Sequence, residues 1–154
     1  MEVQAIRRTP GPLPPELTRI EGPDYLPQLL ESSDFIVIAA PDTRETYQLI
    51  GANELALIRP TSVLISLTRG SLIDDEALIQ ALSERRLRGA ALDVFQKEPL
   101  PSDHPFWTLD NILITPHVGG TSVKFWDRQT ELILSNIRSY ISGEDLRNRV
   151  DKEH

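Results

Sequence analysis

The amino-acid sequence predicts an α/β fold, a doubly wound parallel sheet that is incomplete. Three observations carry this. Four short runs, at 35–40, 63–67, 90–94 and 112–114, are apolar almost throughout and rich in branched residues. Unbroken runs of that length fit strands buried on both faces, which is the condition of a parallel sheet. Helical patterns alternate with them, and strands alternating with helices are the signature of parallel crossover units. The third observation is that the chain opens directly on a weak strand pattern, with nothing before it to lend support.

Taken in order, residues 1–6 read as that short strand. Pro10, Gly11, Pro12, Pro14 and Pro15 follow as a stiff connector, since proline cannot continue a regular helix or a central strand. Residues 16–21 read as a second short strand, and 24–31 as a helix with Leu26, Leu29 and Leu30 turned inward. The apolar run at 35–40 stops at Pro41. After the run at 63–67, Asp74, Asp75 and Glu76 place acids in a helical first turn, where they complement the helix dipole. Ala77, Leu78, Ala81 and Leu82 recur at helical spacing, with Gly89 read as the C-terminal cap. The last helix is predicted over 122–142, burying Leu132, Ile133, Ile137, Tyr140 and Ile141 and ending at Gly143.

Composition narrows the partners. The chain has 154 residues, 40% hydrophobic and 25% charged, which suits one soluble domain. There is no cysteine, so disulfides and thiolate metal sites are excluded, and no metal site is expected. The net charge is −7 with Lys and Arg dispersed among acids, so nucleic acid is not expected as a partner. No apolar run reaches the ~20 residues of a membrane span, and the N-terminus has no signal-peptide layout. A cytoplasmic location is expected.

In parallel sheets of this kind the ligand crevice lies beyond the carboxyl ends of the strands, so the residues after each run matter most. The first run is followed by PDTRET (41–46), the second by Thr68, Arg69 and Gly70, the third by Asp93 with Glu98 and Pro99 nearby, and the last by TPHVGG (115–120). Singly, Arg69 is an ordinary strand-end arginine, Glu98 a loop acid, Asp93 a turn cap and His117 a structural histidine. Together they put one Arg, one Glu and one His on the same edge of one sheet.

These segments carry a resemblance. LISLTRGSLIDDEAL (64–78) is similar to the arginine signature of the D-isomer-specific 2-hydroxyacid dehydrogenases. GAALDVFQKEP (89–99) resembles their glutamate signature, and NILITPHVGG (111–120) their histidine signature. Order, spacing and flanking residues agree along nearly the whole chain. Ser66 stands where the family commonly has Asn.

The resemblance implies a Rossmann-like domain for NAD(P) and hydride transfer between the nicotinamide and a small 2-keto or 2-hydroxy acid, of the glyoxylate or hydroxypyruvate type. Arg69 then holds the substrate carboxylate with a two-pronged bond that lysine cannot match. His117 is the general acid in reduction and base in oxidation, and Glu98 orients its ring and favours the protonated form. Asp93, Gly119 and Gly120 are implied near the nicotinamide, and Pro41, Thr46, Leu67 and Thr68 along the cofactor. Glu98, where the formate dehydrogenase branch has glutamine, argues against formate. Family members that use NAD end the first strand present here with an acid for the ribose 2′-hydroxyl. Arg7, Arg8 and Thr9 stand there instead, and cations suit the 2′-phosphate of NADP.

Measured against that family, residues 1–154 read as a partial NAD(P)-binding domain. The first strand and the phosphate loop G-x-G-x-x-G are expected before Met1, no Gly-x-Gly occurs anywhere, and the substrate domain is expected to be absent. In the strand order 3-2-1-4-5-6, loss of strand 1 separates strands 2 and 3 from strand 4 and leaves an open apolar edge, which invites self-association. Two other readings remain from the sequence: a non-catalytic, corepressor-like dinucleotide-binding protein, and a non-functional fragment.

Overall fold

The computed structural model describes residues 1–9 and 11–150. The chain divides into two compact units, Met1–His117 and Val118–His154.

The first unit holds six strands in two sheets, all parallel. Strands β1 (Gln4–Ile6) and β2 (Arg19–Glu21) pair with each other alone. The other four, β3 (Phe35–Ile38), β4 (Val63–Ser66), β5 (Gly89–Leu92) and β6 (Ile112–Ile114), form a second sheet in the order β3-β4-β5-β6. The expected separation of the first two strands from the rest is what the hydrogen bonding shows. β3 and β4 stop short of the ends of their apolar runs, β5 starts one residue before its run, and β6 matches its run.

Helices α1 (Leu26–Ser32), α2 (Ala52–Leu57) and α3 (Asp75–Ser83) connect the strands. The helix expected at 24–31 begins instead as a 3-10 turn, Pro23–Tyr25, and becomes α-helical at Leu26. Pro27 near its start lacks an N–H that a first turn does not use. Sequence patterning does not announce α2, six residues long with only Leu55 buried. Its start is secured by the Gly51 N–H donating to Glu54 Oε2 at 3.1 Å. In α3, Asp74 is the N-cap, its side chain accepting from Ala77 N at 3.1 Å, and Ala77, Leu78, Ala81 and Leu82 are the buried stripe. Gly89 is not its cap. The helix ends at Ser83, and Arg85 takes the left-handed turn (φ 56°) while Arg86 N bonds back to Ala81 O. Gly89 opens β5, where any Cβ would lie 2.7 Å from Asn111 O. The glycine answers to strand packing.

Ile36, Ile38, Leu64, Ala90 and Leu92 are buried on the sheet and pack with Leu30, Leu55, Leu78, Leu82 and Phe106 in one core. Each leucine or phenylalanine so buried contributes about 1.5–3 kcal/mol. Alternate residues face the other way: Phe35, Val37 and Leu113 are all more than half exposed.

The second unit is dominated by α4 (Phe125–Ser142). Gly143 stops it in the left-handed conformation (φ 71°), with Gly143 N bonding Tyr140 O and Glu144 N bonding Ser139 O. The tail is held by Asn136, whose amide bonds both the N–H and the C=O of Arg147. The expected burial of Ile133, Ile137, Tyr140 and Ile141 is not found: all four are exposed and α4 has no buried residue. A single helix has no second element in its own unit against which to bury a stripe.

Candidate active site

The strand register builds the site. It aligns Ile38 with Ser66, Ser66 with Leu92, and Leu92 with Ile114, so the carboxyl ends of all four strands are level. The loops that follow therefore emerge side by side. Strands lie ~4.8 Å apart, so the chains leaving β4 and β6 start roughly 10 Å from each other with β5 between them. Arg69 follows β4, Glu98 follows β5 and His117 follows β6. An acid on the middle strand can address both neighbours.

Glu98 does so. Its Oε2 lies 2.7 Å from His117 Nδ1, and its Oε1 accepts from the Phe95 N–H at 3.0 Å. The His117 bond, then the Phe95 N–H, hold the Glu98 carboxyl below the usual range, and Arg69 adds its field in the same direction. A carboxylate only accepts, so His117 Nδ1 is the donor, and Nε2 is the nitrogen left to face a reacting group. His117 itself sits in the left-handed region (φ 54°), with its N–H on Thr115 O. A non-glycine residue held there is strained, and such strain gathers at functional sites.

Beneath the pair lies Asp93, 2% exposed. Its N–H donates to Ser66 O, and its carboxylate accepts a short hydrogen bond from the Thr115 hydroxyl. Thr115 thus ties the loop of β6 to that of β5. Sequence reasoning did not single it out, although a threonine ending an apolar strand immediately before Pro116 and His117 was a usable signal. On the β4 side, Arg69 is extended, and its Nη1 donates to Thr68 O at 2.7 Å. Leu67 is exposed, and the Thr68 hydroxyl is buried with no partner among the described residues.

The residues after β3 are arranged as a braced loop. The Thr46 hydroxyl donates to Pro41 O at 2.6 Å and accepts from Thr43 N at 2.9 Å. Both Pro41 and Thr46 thus follow β3 on this edge, with the hydroxyl engaged inside the loop. Glu45 is held below the ordinary carboxylate range by its bond with Thr43, with Arg8 contributing. Arg7 lines a shallow pocket with Gly11, Ile20, Glu21 and Gly22. A Cβ on Gly11 would come within 2.7 Å of the Arg7 guanidinium, so the glycine makes room for the cation. Thr9 is exposed beside them. Gly119 and Gly120 belong to the second unit; a Cβ at Gly120 would meet nothing within 4 Å among the described residues, so no internal packing requires glycine there.

Residues 1–119 match the family model described as "D-isomer specific 2-hydroxyacid dehydrogenase, NAD binding domain". The chain belongs to this family. Its 2-hydroxyacid dehydrogenase relatives include a glyoxylate reductase from Thermococcus gammatolerans, 41% identical over 128 residues, or 83% of this chain and 38% of the relative. The chain thus spans about two fifths of the length of that relative. Among solved structures, a D-isomer specific 2-hydroxyacid dehydrogenase from Xanthobacter autotrophicus Py2, in complex with NADPH and MES, superposes with TM-score 0.88 at 36% identity. It covers 97% of this chain and 61% of its own. A family member from Aeromonas salmonicida gives TM-score 0.90 at 32% identity, over 98% of this chain and 48% of its own. The parallel α/β sheet is therefore that of the family's NAD-binding domain. Among the described residues no helix is long and apolar enough to cross a membrane, and no cluster of candidate ligands for a metal ion occurs.

Proposed function

We propose that this chain is the NADP-binding, acid–base half of a reductase for small 2-keto acids of the glyoxylate or hydroxypyruvate type. The observation that carries it is the Glu98–His117 bond of 2.7 Å, on the middle and outer of three level strand ends whose third carries Arg69. A 2-keto acid presents a carboxylate beside a carbonyl, and Arg69 and His117 offer a partner for each. Arg69 holds the carboxylate through its planar fork. His117 gives a proton from Nε2 to the carbonyl oxygen as negative charge develops there, and in the reverse direction takes it back. Glu98, ionised, keeps Nδ1 protonated and the ring aimed. Bound NADPH supplies the hydride. The NADP preference rests on Arg7 and Arg8 after β1, where cations suit a 2′-phosphate; Arg7 lines a pocket with Gly11, Gly22 and one carboxylate, Glu21. Asp93, Pro41, Thr46, Leu67 and Thr68, all of the first unit, are the candidates for the cofactor side of the strand-end edge. The open flank of β3, with Phe35 and Val37 exposed beside it, supports association with a second copy.

Since the sequence contains no Gly-x-Gly, the chain alone is expected to bind NADP weakly and to show no turnover. The test is therefore a chimera in which the 128 matched residues of this chain replace the matching segment of the Thermococcus gammatolerans glyoxylate reductase, the rest of that enzyme being kept. The chimera is expected to oxidise NADPH with glyoxylate. His117→Ala is expected to abolish turnover with cofactor binding retained, and Arg69→Lys to raise KM for the keto acid. A folded, NADPH-binding chimera whose turnover is indifferent to His117→Ala refutes the assignment.

A further inference from the structure

We propose that Gln96 is a positioning residue for the Glu98–His117 pair, acting together with the bare backbone of Gly70. Its catalytic meaning rests on the hydride-transfer reading above; its structural content does not.

The aim of the Glu98 carboxylate depends on the backbone at residue 95, because the Phe95 N–H holds Oε1 at 3.0 Å while Oε2 holds His117. Residues 95 and 96 lie beyond β5, outside any sheet pairing. The Phe95 ring is buried in the core against Phe106, and the peptide that follows it is held by two contacts with the segment after Arg69. At one end Gly70 lies flat on the Phe95–Gln96 peptide: a Cβ there would stand 1.9 Å from Phe95 C and 2.3 Å from Gln96 N and Phe95 O. At the other end the Gln96 side chain donates from Nε2 to Ile73 O at 2.9 Å. The segment they grip is itself anchored. Gln48 N bonds Ser71 O, Ile50 N bonds Leu72 O, Asp74 N bonds Ile50 O, and Ile50 bridges Ile73. The 95–96 peptide is thus pressed from one side by Gly70 and tied from the other by Gln96 to an immobile backbone. The chain of contact runs from Arg69 through Gly70 and the 95–96 peptide to the Phe95 N–H, Glu98 and His117. The spacing between the carboxylate-binding arginine and the proton-donating histidine is set by this clamp. Gln96 is exposed, so its role is this hydrogen bond rather than core packing.

The experiment uses the 154-residue chain labelled with 13C at glutamate side-chain carboxyls, titrated by NMR. Glu98 is assigned by its loss in Glu98→Gln. In the unmutated chain Glu98 is expected to titrate below the ordinary glutamates. Gln96→Ala and Gln96→Leu, which remove the donor, are expected to move its midpoint upward as the Phe95 N–H drifts from Oε1. Gly70→Ala is expected to do the same wherever it folds. Unfolding midpoints are recorded in parallel, because a merely structural role lowers stability without moving the Glu98 titration. A folded Gln96→Ala whose Glu98 titrates as in the unmutated chain overturns the proposal. In the chimera, Gln96→Ala is expected to lower kcat about 10-fold with little change in KM, since Arg69 stays anchored. Loss of the chimera's activity altogether, with the Glu98 shift still present, refutes the reductase reading and leaves the clamp standing.

Discussion

Replacing Asp75 by Asn should stabilise the protein at neutral pH and leave it unchanged in acid. Asp75 opens α3, with its side chain only 18% exposed and its Oδ2 4.0 Å from His104 Nε2. Burial raises its carboxyl from 3.8 to about 6, the neighbouring Asp74 adds to the rise, and His104 opposes it. Asp75 therefore keeps its proton in the folded protein at pH values where the unfolded chain has already lost it. Its contribution to stability is full below about pH 4 and is lost as pH rises through about 6. A displacement of about two units corresponds to about 3 kcal/mol at full development. Against this, a carboxylate in a helical first turn gains ~0.3–1 kcal/mol from the helix dipole, which Asn forgoes. The net expectation is that Asp75→Asn is more stable by about 2–3 kcal/mol at pH 8 and equal within about 0.5 kcal/mol at pH 4. Urea unfolding followed by circular dichroism at half-unit steps from pH 4 to 8 measures this. Only the difference between variants is read, because Glu98, Glu45 and Asp110 have lowered carboxyls and contribute with the opposite sign. A difference that is flat with pH, or a variant less stable at pH 8, would mean that Asp75 is hydrated and the argument is wrong.

Three further outcomes are expected. Ser66 is fully buried and its hydroxyl has no partner among the described residues, so Ser66→Ala should leave stability equal or raise it by about 1 kcal/mol in urea unfolding. Thr115→Val removes a donor to buried Asp93 and should cost about 1–3 kcal/mol in urea unfolding; unchanged stability would dissociate the two side chains. In the chimera, Arg7→Asp should weaken NADPH relative to NADH by about 10- to 100-fold in kcat/KM, as loss of a charged hydrogen bond implies; equal use of both cofactors before mutation would discard the 2′-phosphate reading.

The strand pattern was legible because the runs are apolar at nearly every position, although the structure buries only one face of β3, with Phe35 and Val37 exposed. Phe35–Ile38, Val63–Ser66 and Ile112–Ile114 fall within runs visible by eye, and Gly89–Leu92 begins one residue before its run. The order of Arg69, Glu98 and His117 after successive runs was legible for a related reason: in a parallel sheet every strand ends on the same edge. Shorter elements were not. α2 has one buried residue and no period to read, and Gly89 looked like a cap because glycine serves caps and tight strand contacts equally well.

What the sequence alone determined, then, is which residues can stand on one edge of one sheet and what chemistry they bring. Only the tertiary structure decided which of them touch. The register brings Glu98 within 2.7 Å of His117, sets Thr115 against Asp93, and lays Gly70 on the 95–96 peptide. The tertiary structure also set the Arg7 guanidinium against Gly11. The reason is physical: periodicity reports the face a residue presents, whereas a hydrogen bond or a close backbone approach depends on where a distant segment comes to rest. That resting place is set by packing summed over the whole core, which no local pattern contains.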